Sequence, residues 1–126
     1  MEFATWSPRT LSVLRIMTGL LYMEHGTQKF FAFPSPGPAL TPLLIVQGLL
    51  ELGGGFLILI GLFTRPVAFI LAGDMAVAYF YAHVPRGFFP SLNGGRLAIL
   101  YCFVFLYLFV AGGGVWSVDQ QRARSR

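Results

Sequence analysis

The sequence predicts an all-α integral membrane protein, built as a four-helix bundle of transmembrane helices. The first reason is composition, because 56% of the 126 residues are apolar and only 11% are charged, against about 25% charged residues in an ordinary soluble domain. A soluble chain of this size could not cover its surface with so few charges. The second reason is that long apolar segments fill most of the chain, which leaves no room for a soluble domain.

Four spans are predicted, because a transmembrane helix needs about 20 mainly apolar residues. They cover approximately residues 10–33, 40–63, 66–84 and 96–114 of a single domain, residues 1–126. The fourth span is the clearest, since no charged residue interrupts it. The first is the noisiest, because it contains several ionisable side chains.

Turn-forming residues separate these spans. A proline-dense segment, residues 33–38, ends the first span. Thr64 is a candidate N-cap of the third span, and Pro66 fits its first helical turn. The third loop runs over residues 85–95, and the glycines at 112–114 loosen the end of the fourth helix.

The Lys and Arg residues near the span ends predict the orientation. On one side lie Arg9, Arg15, Arg65, Arg122, Arg124 and Arg126, and on the other Lys29, Arg86 and Arg96. This imbalance places both termini in the cytoplasm. The net charge of +4 is therefore attributed to orientation and to contact with anionic lipid headgroups of the bilayer, and no nucleic-acid partner is expected.

Ionisable residues within the predicted spans are the candidate functional residues. A charge at mid-bilayer costs about 2.5–3.5 kcal/mol, so such residues normally face the bundle interior. At about 100° per residue, one stripe of the first helix contains Arg15, Gly19, Tyr22, His25, Gly26 and Lys29. Glu51 and Asp74 lie near the middle of the second and third spans, while Glu24 faces away from the stripe and has no assigned role.

Two interpretations of these residues stay open. They could form a salt-bridge network that only fixes helix register, or they could line a ligand or proton pathway, which intramembrane ionisable groups usually indicate. We favour the second interpretation. The proposed ligand-binding residues are Arg15, Tyr22, His25, Lys29, Glu51 and Asp74.

Metal and soluble-enzyme chemistry find little support in the sequence. His25 and His83 could ligate haem between helices, but no spacing motif supports it, so haem is disfavoured and no metal site is predicted. The single Cys102 excludes an intramolecular disulfide and a cysteine metal site. No phosphate-binding loop or nucleophile elbow occurs, so the catalytic residues are unknown.

The order of polar and glycine residues resembles the DoxX family over roughly residues 10–119. The matching parts are Arg15, Gly19, HGTQKF at 25–30, LELGGG at 50–55, GLFTR at 61–65, Asp74 with Met75, and GGGVWSVD at 112–119. The resemblance implies a four-helix bacterial inner-membrane protein. One departure is Arg96, where the family often carries Glu.

Founding members of that family are associated with a thiosulfate:quinone oxidoreductase and with terminal quinol oxidase assemblies. The resemblance therefore implies a small subunit of a redox-linked membrane system, with protein partners and a quinone-like apolar ligand at the buried polar cluster. The alternatives are a non-catalytic scaffold that anchors soluble oxidoreductases and a small-solute transporter. Whether the chain has an activity of its own, and whether it forms a homo-oligomer, stay open.

Overall fold

The computed structural model describes residues 2–125, and all regular secondary structure in this part is helical, which confirms the all-α class. Six helices are used below: α1 Phe3–Phe31, α2 Pro42–Ile60, α3 Thr64–Arg86, α4 Pro90–Asn93, α5 Arg96–Ala111 and α6 Val118–Arg124. The chain divides into two compact units. One joins the chain up to Thr64 with the segment from Gly113 onward, and the other is Arg65–Gly112.

Helix length and composition support a membrane protein. Among the described residues, α2 and α3 are long and apolar enough to cross a bilayer. Helix α5 is apolar, but its 16 residues extend only about 24 Å, less than the hydrocarbon thickness of about 30 Å. Helix α1 has 29 residues, interrupted by charged side chains. A bundle of four membrane-spanning helices therefore stays a prediction.

Large apolar side chains on the helix exteriors agree with a lipid environment. Val46 and Leu49 on α2 and Val77 and Phe80 on α3 are each more than half exposed. Helix α1 adds Val13, Leu14, Met17, Leu20 and Leu21. A water-soluble protein rarely exposes so many large apolar side chains, whereas lipid tails solvate them readily.

The proline-dense segment ends α1, as the sequence predicts. Ala32 adopts a left-handed conformation with φ 52° at the helix end. The chain then turns back over the last helical residues: the Phe33 amide donates to the Thr27 carbonyl, and the Gly37 amide donates to that of Gln28. These bonds satisfy carbonyls that a helix C-terminus leaves open.

Helix α2 has clear signals at both ends. Thr41 is its N-cap and accepts a 3.3 Å hydrogen bond from the Leu44 amide, with Pro42 in the first turn. Gly61 ends the helix in a left-handed conformation with φ 72°. Between these ends, Leu50–Gly54 forms a π-helical turn, a local widening that occurs frequently at functional sites.

Glycines bring α1 and α2 into backbone contact. A Cβ atom at Gly19 would lie 2.8 Å from the Gly55 carbonyl oxygen, and one at Gly26 would lie 3.1 Å from that of Gly48. In each helix the two glycines are seven residues apart, so they lie on one face. The stripe predicted on α1 thus faces α2, and its glycines allow the close approach.

We expect Gly19→Ala to lower the free energy of unfolding by about 1–3 kcal/mol, because the added methyl group would overlap main-chain atoms and force the helices apart. The Leu59 backbone nitrogen would lie only 2.7 Å from it. Thermal unfolding in detergent measures the effect. Gly53→Ala is the matched control, since its Cβ atom would meet nothing within 4 Å. Equal melting temperatures for the two variants would contradict the close-packing interpretation.

In the second unit, one hydrogen-bond network holds the loop between α3 and α5. The buried Asn93 side chain donates to the Gly87 carbonyl at 2.9 Å and to the Tyr79 hydroxyl at 3.2 Å. The same hydroxyl donates to the Phe88 carbonyl, and His83 Nδ1 lies 3.1 Å from the Asn93 carbonyl. His83 therefore uses one ring nitrogen to fix this loop.

Two helix boundaries differ from the sequence expectation. Helix α1 begins at Phe3 rather than near residue 10, and it continues through Pro8, which lies inside the helix. Helix α6 was not predicted, and the Ser117 side chain caps it by accepting from the Gln120 amide. Arg126, one of the charges used for orientation, lies outside the described residues.

Candidate functional site

A buried ion pair joins α1 to α2. Lys29 Nζ lies 2.8 Å from Glu51 Oε1, and the two side chains are only 10% and 5% exposed. The second Glu51 oxygen accepts a 3.4 Å hydrogen bond from Gln47 Nε2, one turn earlier on α2. Both carboxylate oxygens therefore have a partner, which a buried charge requires.

The local backbone makes room for this pair. Glu51 lies within the π-helical turn of α2, and Gly48 lies one turn before it. A Cβ atom at Gly48 would be 2.6 Å from the Phe30 ring and 3.4 Å from Lys29 Cδ. The glycine thus leaves space for the Lys29 stem to run along α2 towards Glu51.

Arg15 binds main-chain carbonyl groups at the other end of the same helix pair. Its Nε donates to the Ile58 carbonyl at 2.8 Å and its Nη2 to that of Leu59 at 3.2 Å, both in the last turn of α2. Its remaining contacts are with the carbonyls of Gly113, through Nη1, and of Trp116, through Nη2 at 2.8 Å. A guanidinium at a helix C-terminus both satisfies open carbonyls and complements the helix dipole.

The glycine-rich segment after α5 packs against Arg15 with little free space. The Ser12 hydroxyl donates to the Gly113 carbonyl at 3.1 Å and accepts from the Trp116 amide at 2.9 Å. A Cβ atom at Gly61 would lie 2.5 Å from Ser117 Cβ and 3.0 Å from Arg15 Cζ. We call Ser12, Arg15, Gly61, Gly113 and Ser117 the capping cluster.

Asp119 caps the start of α3 from a distant part of the chain. Its two carboxylate oxygens accept from the Phe63 and Thr64 amides, each at 2.8 Å, and its own amide donates to the Gly61 carbonyl at 2.9 Å. Helix α3 begins at Thr64, so Thr64 is its first helical residue rather than the N-cap that the sequence suggested. Its buried hydroxyl has no partner within residues 2–125.

Asp119→Ala is expected to reduce stability by about 1–2 kcal/mol, because two helix-terminal amides lose their acceptor. Asp119→Asn should cost less, since the amide oxygen still accepts from one of them. Detergent-solubilised protein unfolded by heat gives the comparison. Gln121→Ala, also on α6, serves as the control. If Asp119→Ala and Gln121→Ala have the same melting temperature, Asp119 does not have the capping role.

Five of the six proposed site residues belong to the first unit, and they do not form one cluster there. Lys29 and Glu51 are in direct contact, whereas Arg15 lies about 21 Å from Lys29 along the helix axis. Tyr22 is fully buried between them, and His25 is partly exposed. Asp74 is partly exposed on α3, in the second unit.

The sequence did not predict several residues whose hydrogen bonds hold helix ends and loops in place. Ser12 and Asp119 act through partners about fifty to a hundred residues away, so no periodicity along the chain identifies their roles. Asn93 is another case, since its side chain fixes a loop. Gln47 was recognisable, because it precedes Glu51 by one helical turn and shares its face. Glu24, which had no assigned role, is exposed.

Comparison with known proteins places these residues in a family context. The DoxX family model matches residues 10–84. An uncharacterized protein of Haemophilus influenzae is 43% identical over 124 residues, covering 92% of each chain. An uncharacterized membrane protein of Mycobacterium tuberculosis is 27% identical over 137 residues, covering 93% of this chain and 83% of its own length. No solved structure gives a significant match.

Proposed function

The chain belongs to the DoxX family of membrane proteins, and on this premise we propose that it is a subunit of a redox-linked membrane system that binds a quinone-like apolar ligand. The proposed binding position is beside Lys29 and Glu51. The observation that carries the proposal is their 2.8 Å ion pair, buried at a widened turn of an apolar helix. Intramembrane ion pairs of this kind commonly mark ligand or proton pathways.

The donor chemistry fits a quinone headgroup. A quinone accepts hydrogen bonds at its carbonyl oxygens and carries electrons together with protons. Lys29 has three N–H donors and uses one on Glu51, so it retains donors for a ligand carbonyl. Glu51 orients the ammonium group, and its carboxylate can accept a proton that the ammonium group releases.

The remaining proposed residues take different roles. Tyr22 and His25 follow the same face of α1 towards Lys29 and are proposed to supply further donors. Asp74, in the second unit, stays a proposed ligand-binding residue. The guanidinium group of Arg15 donates hydrogen bonds to four main-chain carbonyls. We therefore assign Arg15 to holding the helix ends together rather than to binding the ligand.

Quinone extraction tests the proposal. Protein purified in a mild detergent is expected to release a quinone, identified by its optical spectrum, and the Glu51→Gln variant should contain at least several-fold less while remaining folded. Glu24→Gln is the matched control, because Glu24 is an exposed carboxylate on α1. Equal quinone content in all three proteins, or a haem spectrum, would overturn the proposal.

A scaffold that anchors soluble oxidoreductases is the second candidate. Several residues of the DoxX-like motifs serve internal packing rather than a ligand, which favours a structural role. They are Arg15, Gly61, Gly113 and Asp119. Exposed Arg122 and Arg124 on α6 would then contact a partner. Affinity purification separates the two, since a quinone-free protein that retains an oxidoreductase until α6 is removed supports the scaffold.

We further propose the membrane arrangement on which both functions depend: four spans in the bacterial inner membrane, with both termini cytoplasmic. In a Cys102→Ser background, Ser35→Cys should react with a membrane-impermeant maleimide in intact spheroplasts, whereas Ser125→Cys should react only after lysis. Both positions are exposed, so accessibility to the reagent depends on the side of the membrane. The reverse labelling pattern would contradict this topology.

A further inference from the structure

A polar cavity lies at the end of the first unit where the start of α1 meets α6. It is open on one side, has a volume of about 430 Å³ and is lined by Thr5, Pro8, Arg9, Val115, Trp116 and Arg124. These residues come from the start of α1, the glycine-rich segment and α6, so three separate parts of the chain form its walls. Its volume lies within the range of small-molecule sites, about 300–1,000 Å³.

The charges of this cavity are of one sign. Two guanidinium groups line it, and within the described part of the chain no carboxylate side chain does. Within residues 2–125 neither arginine forms an ion pair. Arg9 Cζ lies 4.9 Å from the centre of the Trp6 ring, a cation–π contact. Two guanidinium forks facing one cavity suit a phosphate group, which they can bind bidentately.

The surroundings of the cavity are those of a membrane interface. Trp116 is 54% exposed and Trp6 48%, and Phe3 at the start of α1 is 77% exposed. Tryptophan is enriched at the level of the lipid headgroups, and clustered arginines beside apolar helices favour anionic lipids. Thr5, whose hydroxyl also contacts Glu2 at 3.3 Å, adds a neutral hydrogen-bonding group to the wall.

We propose that this cavity binds an anionic phosphate group between Arg9 and Arg124. The exposed tryptophans identify a phospholipid headgroup as the source that fits best, with a free phosphate compound as the alternative source. The site is separate from the Lys29–Glu51 pair and does not depend on quinone binding. It assigns a role to arginines that the capping cluster does not use.

The test titrates the detergent-solubilised protein with three probes: short-chain phosphatidylglycerol, short-chain phosphatidylcholine and inorganic phosphate. A Trp6→Phe background leaves Trp116, in the cavity wall, as the only tryptophan of the two in the sequence, so its fluorescence reports binding. We expect phosphatidylglycerol to bind at least tenfold more tightly than phosphatidylcholine. The Arg9→Gln/Arg124→Gln variant should lose about 20–30-fold of that affinity.

Arg86→Gln/Arg96→Gln is the matched control, because it removes two exposed arginines of the other unit and should leave binding unchanged. Inorganic phosphate that binds in an Arg9- and Arg124-dependent way, with no added affinity for the lipid, would assign the site to a free phosphate compound. Equal affinity for both lipids without phosphate binding, or equal losses in the two double variants, would overturn the proposal.

Discussion

Replacing Arg15 by methionine is expected to lower the free energy of unfolding by about 3–5 kcal/mol. Arg15 is 1% exposed, and its guanidinium binds four carbonyl groups at the end of α2 and in the glycine-rich segment. Methionine fills much of the volume but donates no hydrogen bond. A buried carbonyl left without a donor costs about 1–3 kcal/mol, and partial rearrangement of the loop reduces the sum to the expected range.

Arg15→Lys should lose roughly half as much, because the charge remains at the helix end while the planar fork is lost. A single ammonium group cannot donate in the four directions that the guanidinium serves. Arg122→Gln is the control: Arg122 is exposed, with its Cζ 5.1 Å from the centre of the Phe63 ring, and should cost less than about 1 kcal/mol. Thermal unfolding in detergent, followed by circular dichroism, ranks the variants. An Arg15→Met protein as stable as Arg122→Gln would refute this role.

The contrast between Arg15 and Lys29 shows how far the sequence could predict the site. The helical angle correctly placed Arg15, Gly19, Gly26 and Lys29 on one face, and each of these residues contacts α2. Helical periodicity can predict which side chains share a face, because it depends only on residues within one helix. Periodicity does not predict which group of the neighbouring helix a side chain contacts, because that depends on the relative register of the two helices.

The partners of Arg15 were the least predictable feature. An arginine among apolar residues suggests a carboxylate partner, yet here it binds carbonyl oxygens, which every residue carries and no sequence pattern marks. Two of those carbonyls belong to residues about a hundred positions later in the chain. The glycines at 112–114 were recognisable as a helix end, but their packing against Ser12 and Arg15 was not.

The Lys29–Glu51 pair gives the second large expected effect. Lys29→Met and Glu51→Leu should each reduce the free energy of unfolding by about 3–5 kcal/mol, because each leaves a buried charge without its partner. The Lys29→Met/Glu51→Leu double variant should be more stable than either single variant, since two apolar side chains replace two charges. In a double-mutant cycle, this recovery measures the coupling of the pair directly.

Glu51→Gln separates a structural pair from a ligand site. The glutamine oxygen can still accept from Lys29, and its amide can take up a place beside Gln47, so the loss of stability should be smaller than for Glu51→Leu. If the pair binds a quinone-like ligand, Glu51→Gln retains the fold and loses the ligand. If the pair only fixes the register of α1 against α2, the ligand content of Glu51→Gln equals that of the unmodified protein. The free energies of unfolding of the single and double variants still show the coupling between Lys29 and Glu51.

Glu24→Leu, at an exposed position of α1, should be neutral in both cases. A Glu51→Leu protein at least as stable as the unmodified chain would remove Glu51 from both interpretations, because a carboxylate whose loss is tolerated would not be paired within the protein.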